Sequence, residues 1–192
     1  MAAPVVAGID VGGTKILGVA YRLGERPEPL AEERVATPSG DEAILEAILA
    51  VIDTVTAERP VDGVGVGAPG LVDRDGILHV GPNLRDIAAV PVRARLAQNL
   101  DVPVTVENDA TCATWAEHEY GAASVDDALV VTLGTGIGAG IVSGGALQRG
   151  TNGFAGEAGH MVVDPSGPPC PCGRRGCWER YAFGGRAGTP RP

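Results

Sequence analysis

The sequence predicts an α/β fold made of two parts, and three features of the chain lead to this prediction. Short runs rich in Val and Ile alternate with stretches of helical periodicity, as in mixed α/β domains. Two stretches of three strands begin alike, with a Gly/Thr turn between the first two strands, which is weak evidence for a duplicated fold. A polar joint at residues 124–127 separates them. We therefore expect an N-terminal α/β lobe over residues 1–122 and the start of a second over residues 123–182.

The first part is predicted to contain five strands and three helices. Apolar, β-branched runs indicate strands over residues 5–9, 16–21, 30–37, 61–66 and 102–106. After the third strand, with Ser39 or Asp41 as a candidate N-cap, apolar residues recur at helical spacing at Ile44, Leu45, Ile48, Leu49, Ile52 and Val55. A short helix is expected within residues 90–100 and another over residues 109–120, which Gly121 would end.

The second part opens with strands predicted over residues 129–133, 139–143 and 146–148. A hairpin turn at residues 143–145 would join the last two of them. This part lacks helices to cover its sheet, and an exposed apolar face there would favour aggregation or partner binding. Residues 183–192 have little apolar pattern and are expected to form a disordered tail.

Composition excludes several classes of protein. The chain has 192 residues, and with 44% hydrophobic residues it has enough apolar material for a folded core. Its 24 acidic and 15 basic residues give a formal net charge of −9, so no general attraction to nucleic acid or to an anionic membrane is expected. We find neither a run of about 18 apolar residues nor a signal-peptide pattern, and therefore expect a cytoplasmic protein.

Two glycine-rich turns are candidate phosphate-binding sites. In Asp10-Val-Gly-Gly-Thr-Lys15, the glycines let backbone N–H groups face a phosphate, Thr14 adds a hydroxyl donor, and Asp10 could hold Mg²⁺ through water. Thr precedes Lys and a strand follows, so this is not a P-loop. An ordinary hairpin is the alternative. The second turn, Leu133-Gly-Thr-Gly-Ile-Gly138, also precedes a strand, which excludes a Rossmann fingerprint. Together the two turns could clamp a nucleotide phosphate chain.

Polar residues after a buried strand are candidates for catalysis. Asp109 could act as a general base on a substrate hydroxyl, or it could simply cap the helix that follows. Asn108 offers a donor and an acceptor for sugar hydroxyls. Glu157 and His160 form a second polar cluster in Gly156-Glu-Ala-Gly-His160.

The cysteines indicate a metal site. Cys170, Cys172 and Cys177 lie within eight residues, and His160 lies ten residues before the first of them. A Cys₃His set fits a closed, structural zinc site, although free thiols or an adventitious disulfide are alternatives. If one ring nitrogen of His160 binds zinc, the other could face a ligand. Cys112, within a predicted helix, is interpreted as a small core residue.

In combination, these motifs resemble the ROK family of bacterial sugar kinases and related repressors, and within it the glucokinases. The matching motifs run in family order across residues 5–182: Asp10-Val-Gly-Gly-Thr-Lys15, Gly65-Val-Gly-Ala-Pro-Gly-Leu-Val72, Gly81-Pro-Asn-Leu84, Glu107-Asn-Asp-Ala110, Leu133-Gly-Thr-Gly-Ile-Gly138, Glu157-Ala-Gly-His160 and Cys170-Pro-Cys-Gly-Arg-Arg-Gly-Cys-Trp-Glu179. The resemblance implies an actin/hexokinase-like (ribonuclease H-like) ATPase fold with two lobes flanking a cleft. Family members are usually longer, so an incomplete second lobe is expected.

The resemblance also implies a hexokinase-type activity of carbohydrate metabolism: ATP-dependent phosphorylation of a hexose, glucose favoured, at its 6-hydroxyl. Asp109 matches the catalytic base. The matching sugar ligands are Gly67, Asn83, Asn108, Asp109, Glu157, His160 and Glu179. The residues that match the ATP and Mg²⁺ site are Asp10, Gly12, Gly13, Thr14, Lys15, Thr135 and Gly136. The zinc ligands would be His160, Cys170, Cys172 and Cys177.

Two other functions stay open. A sugar-responsive repressor of the same family would carry an N-terminal helix-turn-helix, for which a first strand at residue 5 leaves no room. An inactive, zinc-stapled fragment of a kinase is the second alternative. Hexose and ATP are the expected partners, with no nucleic acid or membrane, and full-length family members are expected to form homo-oligomers.

Overall fold

A computed structural model describes residues 3–81, 84 and 89–182. The chain divides into two compact units, Met1–Cys112 with Thr151–Gly153, and Ala113–Gly150 with Phe154–Pro192. The first division falls inside a helix, between residues 112 and 113. The sequence places the lobe boundary between residues 122 and 123, and that boundary stays a prediction. The expected disordered tail, residues 183–192, lies outside the described residues.

The first unit is built on a five-stranded mixed sheet. Its elements are β1 (Val5–Val11), β2 (Lys15–Arg22), β3 (Glu28–Ala36), α1 (Asp41–Thr56), β4 (Gly63–Ala68), β5 (Leu71–Val72), β6 (Leu78–Val80), α2 (Val92–Ala97) and β7 (Val104–Asn108). The strand order is β3-β2-β1-β4-β7, with β2 antiparallel to its two neighbours and β4 and β7 parallel to β1. The five strands and α1 expected from the sequence are confirmed, whereas the short β5–β6 hairpin was not predicted.

Helix α1 supplies much of the core of this unit. Its apolar stripe packs against the sheet, and Ile48, Val51 and Ile52 are almost completely buried. The predicted N-cap was wrong, because Gly40 occupies that position and no side chain caps the helix. Gly40 has φ +91°, a conformation that glycine adopts without strain. The side-chain Oδ1 of Asp41 instead accepts a hydrogen bond from the backbone N–H of Glu42.

The second unit begins within α3 (Asp109–Tyr120) and continues through β8 (Ala128–Leu133), β9 (Ile137–Ser143) and β10 (Ala146–Leu147). The three strands form an antiparallel sheet in the order β10-β9-β8. Gly144 and Gly145 form the predicted hairpin turn, both with positive φ. Two 3-10 turns follow, Ala158–His160 and Trp178–Arg180.

The opening strands of the two units have the same topology. In each unit three successive strands are antiparallel neighbours, and a Gly/Thr turn joins the first two. Strand β1 pairs with β2 on one side and with the parallel strand β4 on the other. The corresponding strand of the second unit, β8, pairs with β9 alone among the described strands. Leu129 and Leu133 on β8 are 62% and 68% exposed. These two leucines expose apolar surface on β8. The expectation that this part lacks a helix over its sheet was wrong, because Thr114 on α3 packs directly on Gly140 of β9.

Among the described residues, we find no helix that combines the length and the apolar character needed to cross a bilayer.

Candidate functional site

The polar residues of the first unit meet at one edge of its sheet. Strand pairing places Asp10 on β1 opposite Gly67 on β4, and Gly67 opposite Glu107 on β7. These positions are the carboxyl ends of three adjacent parallel strands. Ligand-binding sites of α/β sheets form at this edge, because the loops that leave the strands converge there. Asn108 and Asp109 follow directly on β7.

The first glycine turn is held by backbone geometry and by one residue that the sequence analysis missed. Gly12 donates its N–H to the carbonyl of Lys15 at 2.8 Å, and a Cβ on Gly12 would lie 3.0 Å from that same oxygen. Thr37 anchors the turn, because its hydroxyl donates to the carbonyl of Gly12 at 2.6 Å and its N–H donates to the carbonyl of Thr14 at 3.2 Å. Gly13, Thr14 and Lys15 are exposed and available to a ligand.

Asp109 begins α3, and its carboxylate is exposed. The surrounding protein nevertheless desolvates the carboxylate, and this raises its pKa. The like charge of Asp10 raises the pKa further, while hydrogen bonds from the N–H of Ala110 and from Asn108 oppose the shift. A carboxylate with a raised pKa is a better proton acceptor.

Asn108, rather than Asp109, provides the cap of α3. Its Oδ1 accepts a hydrogen bond from the N–H of Thr111 at 3.0 Å, which is the N-cap interaction. Its Nδ2 donates to the carbonyl of Gly70 at 3.1 Å, at the turn that follows β4. The simple capping role considered for Asp109 is therefore filled by its neighbour. The other amide hydrogen of Asn108 is donated to the carboxylate of Asp109, so a ligand can use only the second lone pair of Oδ1.

Two further sugar-ligand candidates belong to this unit. Gly67 lies next to the start of α3, since a Cβ on it would be 3.7 Å from Cα of Asp109 and 3.6 Å from Sγ of Cys112. Cys112 is partly buried rather than enclosed in the core. Asn83 lies outside the described residues.

The second glycine turn, in the second unit, connects β8 and β9. Gly134 donates its N–H to the carbonyl of Gly136 at 3.0 Å, which closes the turn, and Thr135 is exposed at its tip. The strand β9 that follows confirms the exclusion of a Rossmann motif. Thr135 and Gly136 lie in this turn, and their role in phosphate binding stays a prediction.

The segment Gly156-Glu-Ala-Gly-His160 packs directly on the backbone of β9. Gly156 has φ +92°, and a Cβ on it would overlap the carbonyl oxygen of Ala139. A Cβ on Gly159 would overlap the carbonyl oxygen of Ile137. Both glycines are required by this close approach, which fixes the positions of Glu157 and His160. The Nε2 atom of His160 lies 4.0 Å from a carboxylate oxygen of Glu157.

His160, Cys170, Cys172 and Cys177 form a compact cluster. One ligand atom from each lies within 4.8 Å of all the others. The Sγ atoms of Cys172 and Cys177 are 3.6 Å apart, and Nδ1 of His160 is 3.7 Å from Sγ of Cys170. No disulfide joins the described cysteines in this structure.

The fold of the cysteine loop explains this convergence. The N–H of Cys170 donates to the carbonyl of Arg174 at 2.8 Å, and the loop returns through a bridge between Val162 and Cys177.

Burial raises the pKa of Cys170 to about 12 and also raises that of Cys177. A hydrogen bond from the backbone of Arg174 lowers the pKa of Cys172.

Glu179 extends the cluster. Its Oε1 lies 3.3 Å from Sγ of Cys170, which donates to it, and 3.7 Å from Nδ1 of His160. The sequence-predicted residues therefore form two groups. One, in the first unit, surrounds Asp109, and the other, in the second unit, surrounds the cysteine cluster.

Comparison with known proteins identifies the fold. The crystal structure of a ROK family glucokinase from Streptomyces griseus, in complex with glucose and AMPPNP, matches with a TM-score of 0.84 and 41% identity, over 93% of this chain and 57% of that chain. A glucokinase from Streptomyces coelicolor is 38% identical over 92% of this chain and 56% of its own length. A xylose repressor from Bacillus subtilis is 36% identical over 91% of this chain and 47% of the repressor.

The fold is therefore the actin/hexokinase-like fold of the ROK glucokinases, as the motifs implied. The chain spans about half the length of the curated relatives that it matches. The model of the ROK family matches residues 6–187, and the chain belongs to the ROK family.

Proposed function

We propose that the chain carries the active site of a ROK kinase that transfers the terminal phosphoryl group of ATP to the 6-hydroxyl of a hexose, with glucose favoured. The observation that carries this proposal is the register of β1, β4 and β7, which gathers Asp10, Gly67 and Asp109 at one sheet edge. Glucokinases similar to this chain over nine-tenths of its length support the choice of reaction.

Asp109 acts as the general base in this proposal. It accepts the proton of the hexose 6-hydroxyl as that oxygen bonds to the terminal phosphorus, and the bond from phosphorus to the bridging oxygen breaks to release ADP. The raised pKa of Asp109 suits this role, because a more basic carboxylate accepts a proton more readily than an ordinary aspartate does. Phosphoryl transfer otherwise depends on positioning and charge stabilisation.

The glycine turns bind the phosphates of ATP. The N–H of Gly12 closes the first turn on Lys15, which leaves the N–H of Gly13, the hydroxyl of Thr14 and the ammonium of Lys15 for phosphate oxygens. In the second turn, Thr135 and Gly136 would supply the corresponding donors. Asp10 would hold Mg²⁺, and the ion would supply charge neutralisation for the phosphates. The anchoring of the first turn by Thr37 supports this assignment, because a fixed backbone costs less entropy on binding.

The proposed hexose ligands are the residues that match the sugar site of the family. They are Gly67, Asn83, Asn108, Asp109, Glu157, His160 and Glu179. Glu157 and His160 favour a polyhydroxylated ligand, since a carboxylate accepts from hydroxyls while a ring nitrogen can donate or accept.

The cysteine cluster fits zinc. Tetrahedral zinc with ordinary Zn–S and Zn–N bond lengths needs ligand atoms about 3.5–3.8 Å apart, and the pairs at 3.6 and 3.7 Å meet this requirement. Four protein ligands leave no open position, so zinc here would supply a rigid brace rather than Lewis-acid catalysis. His160 would ligate through Nδ1, leaving Nε2 to face Glu157 and the hexose. Reduced thiols and the use of ATP are consistent with a cytoplasmic protein.

One alternative follows from a specific observation. The similarity to a xylose repressor favours a sugar-responsive DNA-binding function.

A coupled ADP-release assay with glucose, fructose, mannose and N-acetylmannosamine distinguishes these functions. Hexose-dependent ADP release, fastest with glucose, supports the proposed kinase. Absence of turnover with any hexose would overturn it. A DNA mobility-shift assay with and without sugar tests the repressor directly.

A further inference from the structure

The carboxylate of Glu179 lies between the cysteine cluster and the second glycine turn. One oxygen, Oε1, is 3.3 Å from Sγ of Cys170 and 3.7 Å from Nδ1 of His160. The other oxygen, Oε2, is 3.0 Å from the position that a Cβ on Gly136 would take. The side chain of Glu179 is only 18% exposed. A single carboxylate therefore contacts a candidate metal-ligand set on one side, and on the other side it occupies the space next to Gly136 in the candidate phosphate turn.

The backbone on both sides of this carboxylate is fixed. Glu179 lies on the 3-10 turn that directly follows Cys177, and the N–H of Trp178 donates to the carbonyl of Met161 at 2.8 Å. The glycine turn is closed by its own hydrogen bond between Gly134 and Gly136. Since neither backbone can yield easily, a displacement at one side is transmitted through the carboxylate to the other.

We propose that Glu179 is a positioning residue that couples the metal site to the phosphate turn, beyond any contact it makes with the hexose. The metal cluster then braces the second phosphate turn as well as the segment that carries His160. This inference rests on the metal and phosphate roles proposed above. A substitution at Gly136 that displaces the carboxylate of Glu179 should therefore alter the affinity of the cluster for its metal.

The direction of that change follows from the geometry. A larger side chain at residue 136 pushes the carboxylate of Glu179 toward Cys170 and His160. The carboxylate then crowds two metal ligands and brings its negative charge closer to a thiolate. Changes in the groups that surround metal ligands typically cost 10- to 100-fold in metal affinity. We expect about a tenfold loss at the lower end of that range.

Gly134 provides a matched control in the same turn. A Cβ on Gly134 would meet no atom within 4 Å, in contrast to one on Gly136. Neither glycine has a positive φ, so valine introduces no left-handed strain at either position. The two variants Gly134→Val and Gly136→Val therefore differ mainly in whether the new side chain reaches Glu179.

The experiment measures the affinity of the 192-residue chain for Zn²⁺ by competition with a chromophoric chelator, and the ligand set by the absorption spectrum of the Co²⁺ form. Gly136→Val should bind Zn²⁺ about tenfold more weakly than wild type, while Gly134→Val should match wild type. Equal affinities of the two variants, with wild type binding Zn²⁺ tightly, would overturn the coupling and leave the metal site standing. Failure of wild type to bind either metal would overturn the metal site and the coupling with it.

A double-mutant cycle guards against a general folding defect. In a Glu179→Ala background the carboxylate is absent, so the side chain introduced by Gly136→Val cannot displace it toward the metal ligands. Gly136→Val should then cause no further loss of Zn²⁺ affinity. In a Glu179→Gln background the side chain keeps its size, and the loss should persist. An additive loss in the Glu179→Ala background would contradict transmission through Glu179.

Discussion

The close packing of Gly156 on β9 (Ile137–Ser143) leads to a quantitative prediction. Gly156 has φ +92°, and a Cβ on it would fall roughly 1 Å inside van der Waals contact with the carbonyl oxygen of Ala139. In Gly156→Ala the left-handed backbone alone costs about 1–2 kcal/mol. The overlap adds about 1–3 kcal/mol, the usual cost of overpacking. We therefore expect the free energy of unfolding to fall by about 2–5 kcal/mol.

Gly173→Ala isolates the backbone cost. Gly173 has φ +88°, but nothing lies within 4 Å of the position that its Cβ would take. This variant should lose only about 1–2 kcal/mol. Urea unfolding followed by tryptophan fluorescence suits the comparison, because Trp115 and Trp178 are the only two tryptophans of the chain and both belong to the second unit. A chelator keeps metal binding out of the measurement.

Equal destabilisation of the two alanine variants would refute this reasoning. It would mean that the segment carrying Glu157 and His160 does not rest on the backbone of β9. With the predicted difference of about 1–3 kcal/mol between the variants, Gly156→Ala should also weaken hexose binding, because a displacement of about 1 Å in a positioning segment can reduce catalysis about 100-fold.

Three further predictions concern the first unit and the exposed strand. Asp10→Asn removes a like charge that raises the pKa of Asp109, so the pKa of Asp109 should fall. Carboxyl ¹³C NMR titration measures this pKa. An unchanged value would mean that the two carboxylates do not interact. Asn108→Ala removes the cap of α3 and should lower the free energy of unfolding by about 1 kcal/mol in urea titrations, whereas Asn108→Asp, which keeps the capping oxygen, should lose less. Leu129→Lys combined with Leu133→Lys should reduce concentration-dependent self-association in sedimentation velocity, because these two residues form the exposed apolar stripe of β8; association that persists unchanged would place the contact elsewhere.

The pH dependence of the proposed reaction follows from the sign of the shift at Asp109. Its folded-state pKa is raised, so the protonated form persists to a higher pH than for an ordinary aspartate. Activity should therefore decline, as the pH falls, at a higher pH than the usual aspartate range. The same shift disfavours the charged carboxylate in the folded state, and its cost to stability grows as the pH rises through the folded-state pKa.

The regular elements were predictable from the sequence because their patterns are local. The helix at residues 109–120 has the expected bounds, since a polar start and a glycine end mark it clearly. The β5–β6 hairpin was missed because strands of two and three residues carry too little periodicity to be recognised. The N-cap of α1 was misassigned because Ser39 and Asp41 both suit a cap by type, while the chain uses the positive φ of Gly40 between them.

The residues of the candidate site were predictable from the sequence, but the contacts that hold them in place were not. Glycine turns, an aspartate after a strand and clustered cysteines are visible as motifs. Thr37 and Glu179 contribute through contacts with distant segments: Thr37 bonds to Gly12, 25 residues away, and Glu179 contacts Gly136. A threonine after a strand has no local feature that distinguishes it from an ordinary surface threonine. The anchoring of the turns therefore required the structure.

The central claim is that Asp109 accepts the proton of the hexose hydroxyl. The most direct test follows phosphoryl transfer from ATP to glucose by ³¹P NMR, for wild type and for Asp109→Asn, with glucose affinity measured in parallel by calorimetry. The account predicts glucose 6-phosphate from wild type and a loss of at least about 100-fold in turnover for the variant, with glucose affinity nearly unchanged. Equal turnover by Asp109→Asn and wild type would contradict it.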